Sequence, residues 1–438
     1  MASTYLTRTL GTPTNNYKWT YSFWIKRHSL GNEETIFNAY GGGFSAIKFT
    51  STNALQIYDY RGSTTVMDKV TTRLFRDTSA WYHIVISNDN SIASPETKFY
   101  INGVQETSFS TTNEYSQNEA NGFNSALPNT IGAFNSGASQ ICNISLSQVN
   151  FIDGTQELPT AFGSVNATSG IWVANSGPTV TYGNNGFFLD MANSSDMGND
   201  VSGNANDFTV GGGTVTQMED TPDNNFATWN PLVQQSSGFV LSNGNTTADN
   251  TNDTWRSVYS TLAPSVGKYY FECKIVNQLQ TPRSIIGVCS TAQASNSSAR
   301  LGYEGTNAYA YGSDGNKINN GTNTSYGNTF ATGDIISCAL DLDNGKIYFG
   351  KNGTWQNSGD PTSGSTGTGS AFNVTLGESY YFGSASYGND GIISINAGNG
   401  YFQTTAVASA GTNASGNGIF EYDVPTGYTA LSTKGLNL

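Results

Sequence analysis

Only two histidines occur in the 438 residues, His28 and His83. A Ser-His-Asp relay or a histidine metal site has to be built on one of them. His83 lies inside Trp-Tyr-His-Ile-Val-Ile-Ser (Trp81 to Ser87), an alternating strand in which a histidine packs rather than reacts. His28 follows Lys26 and Arg27 near a turn and reads as solvated surface. No Gly-x-Ser-x-Gly elbow offers a nucleophile. A glycosidase needs two carboxylates about 5–5.5 or 6.5–9.5 Å apart across the sugar bond. The nearest candidate pair is Glu421 and Asp423, but Pro425 ends that strand and no third carboxylate follows. The expectation is no catalytic residue and no required cofactor, with polysaccharide hydrolysis as the minor alternative.

Metal chemistry is equally thin. Asp341-Leu342-Asp343-Asn344-Gly345 resembles the start of a calcium loop, yet its glycine comes one place early and Lys346 follows it. A hairpin accounts for every residue, with Asp341 and Asp343 expected on the solvent face and Asn344-Gly345 in the turn. Asp196, Asp200 and Asp207, among Asn and Ser in the stretch from Asp190, are a second calcium candidate, and calcium stays open. The four cysteines show no CxxC spacing, so zinc is not expected. Cys273, Cys289 and Cys338 sit in apolar strands and read as free, buried thiols; Cys142 stands alone.

Binding chemistry is better supplied. Tyr58, Tyr60 and Arg61 lie together in Ile-Tyr-Asp-Tyr-Arg-Gly-Ser. Tyr303, Tyr309 and Tyr311 lie in a Gly-punctuated polar stretch, with Tyr326 close behind. Tyrosine is amphipathic and costs little entropy to hold, which suits recognition loops and sugar stacking. The competing reading of Tyr309 and Tyr311 is an alternating strand face packed into a core.

The elements that position these residues are strands. No stretch shows a convincing 3.6-residue apolar period, and a short helical turn at Leu158 to Gly163 is the most helix expected. Tyr21, Phe23 and Ile25 alternate against Ser22, Trp24 and Lys26. Strands are also predicted over 44–49, 54–58, 81–87, 98–104, 129–133, 144–152 and 186–191. Trp81 to Gly103 and Gly333 to Gly353 each read strand, polar turn, strand, Asn-Gly, and Asn-Gly suits a type I′ turn. These two hairpin blocks lie far apart, so two antiparallel β-sandwiches are predicted, over residues 17–165 and 231–438. Residues 1–16 are expected to form an N-terminal arm. Residues 166–230 are expected to be a connecting module that lends strands, with Phe187, Phe188 and Leu189 as one of them.

Net charge is −13 with 12% charged residues, and no basic stripe exists, so nucleic acid is not an expected partner. No apolar run approaches a membrane span, and no membrane insertion is expected. The N-terminus has no apolar signal core, which suggests synthesis in a host cytoplasm. An amide- and hydroxyl-rich all-β surface then suits a virion exterior.

The residues also carry a resemblance. Tyr-Ser-Phe-Trp-Ile-Lys-Arg (21–27), Ala-Trp-Tyr-His-Ile-Val-Ile-Ser-Asn-Asp-Asn (80–90), Lys-Phe-Tyr-Ile-Asn-Gly-Val (98–104) and the segment 146–163 resemble a laminin-G/concanavalin-like jelly roll of phage virion proteins. The stretches 182–210 and 220–232 resemble a junction common in predicted marine phage proteins. Residues 240–438 resemble a SPRY domain, through Val-Gly-Lys-Tyr-Tyr-Phe-Glu-Cys-Lys-Ile (266–275), the block 333–355 and the closing 422–431. In the retaining glucanases of the first fold the carboxylates follow an E-x-D-x-(x)-E pattern, which Glu421-Tyr422-Asp423 does not complete. Laminin-G-like folds often hold calcium through scattered Asp and carbonyl oxygens. SPRY folds bind through loops at one end, and by that resemblance Trp255, Arg256 and the Tyr303–Tyr326 region are the ligand-binding candidates. The resemblance implies a non-catalytic phage virion protein: an adhesive tail-fibre or receptor-binding component that grips a host-surface glycan or protein. A capsid decoration or fibre protein contacting other virion proteins is the alternative. Either would act as several identical copies, with a trimer as one form.

Overall fold

The computed structural model describes residues 4–137, 139–234, 238–278, 283–294, 300–388 and 391–437. The chain divides into two compact units, Met1–Gln217 and Met218–Leu438. With 46% strand and 4% helix it is nearly all β, as the alternating pattern predicts.

The first unit stacks an eight-stranded and a six-stranded antiparallel sheet. The larger runs in the spatial order Phe109–Asn113, Thr64–Leu74, Ala54–Arg61, Gly43–Phe49, Glu34–Tyr40, Pro128–Ile131, Tyr5–Thr9 and Thr209–Gly212. The smaller runs Phe187–Leu189, Ile144–Asp153, Lys18–Arg27, Trp81–Asp89, Glu96–Ile101 and Val104–Glu106. Side chains alternate across a strand, so Trp19, Tyr21, Phe23 and Ile25 enter the core opposite Phe37, Ile47, Phe49, Leu55 and Ile57. The Asn102-Gly103 turn has both residues at positive φ, 49° and 79°, the type I′ pattern expected of Asn-Gly.

Three expectations about this unit change. Residues 1–16 do not form a free arm in their described part. Tyr5–Thr9 is a strand between Pro128–Ile131 and Thr209–Gly212, and buried Asp153 accepts the backbone N–H groups of Thr14 and Asn15 at 2.7 and 3.2 Å. The unit boundary falls after Gln217, so most of the supposed connector 166–230 belongs to the first unit. Phe187–Leu189 pairs with Ile144–Asp153 as expected, and Thr209–Gly212 closes the other sheet. His28 is buried instead of solvated, and Lys26 and Arg27 beside it are buried as well. Arg27 pairs with Glu34 at 2.8 Å and lies over the Phe49 ring.

The second unit repeats the plan. Its seven-stranded sheet runs Trp229–Gln234, Trp255–Ser260, Tyr380–Tyr387, Ser284–Ser290, Ala308–Gly312, Asn316–Asn319 and Thr322–Ser325. A nine-stranded sheet, centred on Lys268–Asn277 and Ile335–Asp341, faces it. Tyr269, Phe271, Cys273 and Ile275 alternate into the core, where Phe271 stacks on Phe382 at 4.0 Å. Asn352-Gly353 again has two positive φ values, whereas at Asn344-Gly345 only the glycine does. Asp341, expected in solvent, is buried. Its carboxylate accepts the N–H groups of Asp343 and Asn344 and pairs with Lys268 at 3.0 Å, which shapes that turn.

Both sandwiches are covered on outer faces as well. In the second unit Phe226, Phe420, Val424 and Tyr428 pack over Tyr270, Ala339 and Tyr348. Buried Glu272 clasps this cover by accepting the N–H groups of Glu421 and Tyr422, both at 2.9 Å. Burial pushes the Glu272 carboxyl up to about 7, although those N–H groups and the Tyr270 hydroxyl favour its charged form.

Candidate functional site

The residues with catalytic potential are spent on structure. His83 is buried on the outer face of the six-stranded sheet, between Trp24 at 4.9 Å and Trp172 at 5.9 Å. Trp172 Nε1 donates to its Nδ1 at 3.0 Å, so the ring proton sits on Nε2, which lies 2.9 Å from Ser22 Oγ. Both ring nitrogens are used and burial lowers the pKa to about 3. His28 lies 2.8 Å from Ser145 Oγ, and burial, then the Lys26 charge, lowers it to about 3 as well. Glu421 and Asp423 accept the N–H groups of Ala408 and Thr412 and so hold a loop.

The calcium candidates are engaged likewise. Asp200 accepts N–H groups from Phe188, Ser202 and Asn206, and Asp207 accepts that of Asp200. Asp196 accepts that of Gly198. Among the described residues no three His, Cys, Asp or Glu side chains converge as a metal site. All four cysteines are free.

The nine nominated binding residues separate by strand geometry. Tyr309 and Tyr311 are 5% and 0% exposed and point into the core, and Tyr326 is 8% exposed beside them. Tyr311 packs on Phe349, and Tyr309 on Tyr380. These three are core residues and not a recognition surface. Tyr60 and Arg61 are neighbours in sequence and therefore project to opposite faces of Ala54–Arg61. Arg61 turns toward buried Asp59, at 3.0 Å, and toward Ser45. Burial raises the Asp59 pKa against the pull of Arg61. Trp255 and Arg256 part in the same way, with Trp255 opposite Tyr387 and Arg256 opposite Ser386 in the ladder.

Two half-exposed aromatic surfaces remain, one in each unit. On the outer face of the eight-stranded sheet Phe44 lies 5.5 Å from Tyr58 and 5.7 Å from Tyr60, with planes at 31° and 32°. Phe134 meets Phe44 edge-on at 5.2 Å, and Tyr40, 45% exposed, meets Phe134 at 6.3 Å. Gly43 permits this approach, because a Cβ there would run into the Tyr60 carbonyl. Tyr58 Oη lies 2.9 Å from Thr65 Oγ1. No described cation lies over these rings: Arg61 faces inward, and Lys48 pairs with Glu33.

The second surface lies on the outer face of the seven-stranded sheet. Ala308, Ala310, Ala385 and Gly383 leave room there for Leu301, which is buried, and Ser257 Oγ accepts the Leu301 N–H at 3.0 Å. That docking places Arg300 over Trp255 at 4.7 Å and over Tyr303 at 3.0 Å. Trp255 meets Tyr387 edge-on at 5.7 Å, and Arg283 lies over Tyr387 at 4.7 Å. Tyr303 Oη donates to Asn323 at 3.2 Å. Arg283, Arg300 and Tyr387 were missing from the sequence-based candidates. The available signal was the small-residue alternation at Ala308 and Ala310, which marks a covered outer face.

These two surfaces sit on two binding folds. Residues 2–155 match the Concanavalin A-like lectin/glucanases superfamily, and residues 268–372 match the SPRY domain. Among relatives, Ran-binding protein 9 of Danio rerio is 35% identical over 94 residues, 21% of this chain and 15% of that protein. Ran-binding protein 9 of Mus musculus is 36% identical over 94 residues, 21% of this chain and 14% of that protein. The chain thus spans only a small part of the length of the curated relatives it matches. Among solved structures, the SPRY domain of human HERC1 aligns with a TM-score of 0.30 at 20% identity, covering 38% of this chain and 96% of that one. Stonustoxin aligns with a TM-score of 0.29 at 18% identity, covering 39% of this chain and 27% of that one. The chain carries a concanavalin A-like domain followed by a SPRY domain, and SPRY domains mediate protein–protein interactions. No described helix is long and apolar enough to cross a membrane.

Proposed function

We propose that this chain is a non-catalytic adhesive component of a phage particle, a tail-fibre or receptor-binding protein on the virion exterior. It grips a neutral host-surface glycan on the Tyr40, Phe44, Tyr58, Tyr60 and Phe134 platform. The observation that carries this reading is the platform itself. Aromatic side chains remain half-exposed on a sheet face, with no cation over them and a hydroxyl pair at its edge. A pyranose presents apolar C–H groups to ring faces and hydroxyls to such an edge. The amide-rich, weakly charged composition and the phage-like junction support the virion setting. Two buried histidines, with both ring nitrogens of His83 engaged, support a role without catalysis and without a required cofactor. Several copies per particle would raise avidity by about 10²–10⁴ over single weak contacts.

The test is an array of neutral host-surface glycans probed with the purified full chain. Phe44→Ala and Tyr60→Ala should each lower binding about tenfold, the loss of one good stacking contact. Equal binding by wild type and both variants would reject the platform. Particles that lack the chain and adsorb normally but become fragile would favour capsid decoration.

A further inference from the structure

The outer face of the eight-stranded sheet continues beyond the aromatic platform. Residues directly opposite one another in an antiparallel ladder share a face. The register therefore sets Phe44 beside Tyr60 and Lys48 beside Gln56. The next strand sets Asp68 beside Tyr58, and the edge strand Phe109–Asn113 sets Asn113 beside Asp68. Gln56, Tyr58 and Asp68 are half-buried there, while Leu55, Ile57 and Met67 between them enter the core. The two charged groups of this face are held differently. Lys48 is neutralised by Glu33 at 3.0 Å. Asp68 enters no ion pair among the described residues. Its Oδ1 accepts Gln56 Nε2 at 2.7 Å, which orients the carboxylate, and its Oδ2 accepts no hydrogen bond among the described residues. The fold does not require this charge, because Asn would accept the same bond from Gln56.

We infer that Asp68 is a specificity-determining subsite beside the platform, where it accepts hydrogen bonds from adjacent hydroxyls of a second sugar residue. The inference rests on the platform's being a glycan site. Asp68 lies two strands from Phe44, about 10 Å across the sheet. That is roughly the reach of a disaccharide whose first ring stacks on Phe44 and Tyr60. An ionised carboxylate only accepts, and a pair of neighbouring hydroxyls supplies two donors. Hydrogen bonds to a charged acceptor are about twice as strong as neutral ones. Asn113 Nδ2 donates to the Thr65 carbonyl at 3.3 Å, which leaves its Oδ1 as a further acceptor at the sheet edge. The same carboxylate repels a uronate, a sialate or a sulfate at that position, and Lys48 has no spare charge to offset the repulsion. The ligand class is therefore an uncharged oligosaccharide of at least two residues, with free adjacent hydroxyls on the second.

The experiment titrates the full chain with glucose, galactose and mannose oligomers from mono- to tetrasaccharide, and with the matching hexuronate oligomers. Wild-type affinity should rise about tenfold from mono- to disaccharide. Asp68→Asn should lose that step while keeping monosaccharide affinity and an unchanged far-UV circular dichroism spectrum. Wild type should bind hexuronates about tenfold more weakly than neutral oligomers, and Asp68→Asn should close most of that gap. Phe44→Ala should weaken every length alike. A length step preserved in Asp68→Asn, or a wild-type preference for hexuronates, would overturn the inference and leave the platform standing if Phe44→Ala still loses binding. Wild-type affinity in Phe44→Ala, or no binding of any oligomer, would overturn the platform and the subsite together.

Discussion

The two units present aromatic surfaces that differ in one respect, the presence of arginine. Phe44, Tyr58 and Tyr60 lie beside one another with no cation above them, whereas Trp255, Tyr387 and Tyr303 each lie under a guanidinium. The cause is the placement of arginine relative to the pleat. Arg61 is one residue from Tyr60 and so faces inward, toward Asp59. Arg300 comes from a segment that folds over the outer face and lands on the ring. Proximity in sequence separates aromatic from cation in a strand, and distance in sequence can bring them together. Ring faces without a cation select uncharged C–H surfaces, and capped rings present charge.

Buried ionisable groups sharpen the contrast, and the largest expected effect is on stability against pH. In the first unit His28 and His83 are held at about 3, below the ordinary 6.5. The unfolded chain therefore takes up protons that the folded unit refuses, and stability falls as pH drops below 6.5. At pH 5 the loss is roughly 2 kcal/mol per histidine relative to pH 8. In the second unit Glu272 rises from 4.5 to about 7, so its contribution is full below 4.5 and is lost as pH climbs through 7. Between pH 5 and 8 that loss is roughly 3 kcal/mol. Asp59 in the first unit is also raised and acts against its histidines. Hydrogen–deuterium exchange, corrected for intrinsic rates, should show the first unit less protected at pH 5 than at pH 8, and the second unit more protected. Glu272→Gln should flatten the second response. Parallel responses in the two units would break the contrast.

Much of this architecture is legible in residue order. The alternation in 21–25 and 269–275 identifies strands that enter a core, and Asn102-Gly103 and Asn352-Gly353 form the turns expected of them. Strands of three or four residues, such as Phe187–Leu189 and Thr209–Gly212, are too short for a period to fix their limits. For that reason the boundary of the first unit extends well beyond residue 165. The burial of Lys26 to His28 depends on segments distant in sequence, including Glu34 and Ser145, which no local pattern announces. The candidate sites were half legible for the same reason: Tyr58, Tyr60, Trp255 and Tyr303 occupy the two surfaces, while their partners Phe44, Phe134, Arg300 and Tyr387 arrive by tertiary contact.

Salt tests the platform next. Raising NaCl from about 0.05 to about 0.5 M shortens the Debye length from roughly 14 to roughly 4 Å. Neutral-glycan binding should change less than twofold. A tenfold loss would mean that the platform also binds through charge. The smallest effect is expected from Tyr303→Phe. It removes the hydrogen bond to Asn323 but keeps the ring under Arg300. A loss of about 0.5–1 kcal/mol in stability, read by denaturant titration, is expected. Unchanged stability would show that the bond to Asn323 contributes nothing net.

The most direct measurement is a calorimetric titration of wild type, Phe44→Ala and Arg300→Gln against a neutral host-surface glycan. The account predicts that Phe44→Ala loses the glycan about tenfold, while Arg300→Gln keeps it. Unchanged binding in Phe44→Ala, or equal loss in both variants, would contradict a glycan surface built on the rings that carry no cation.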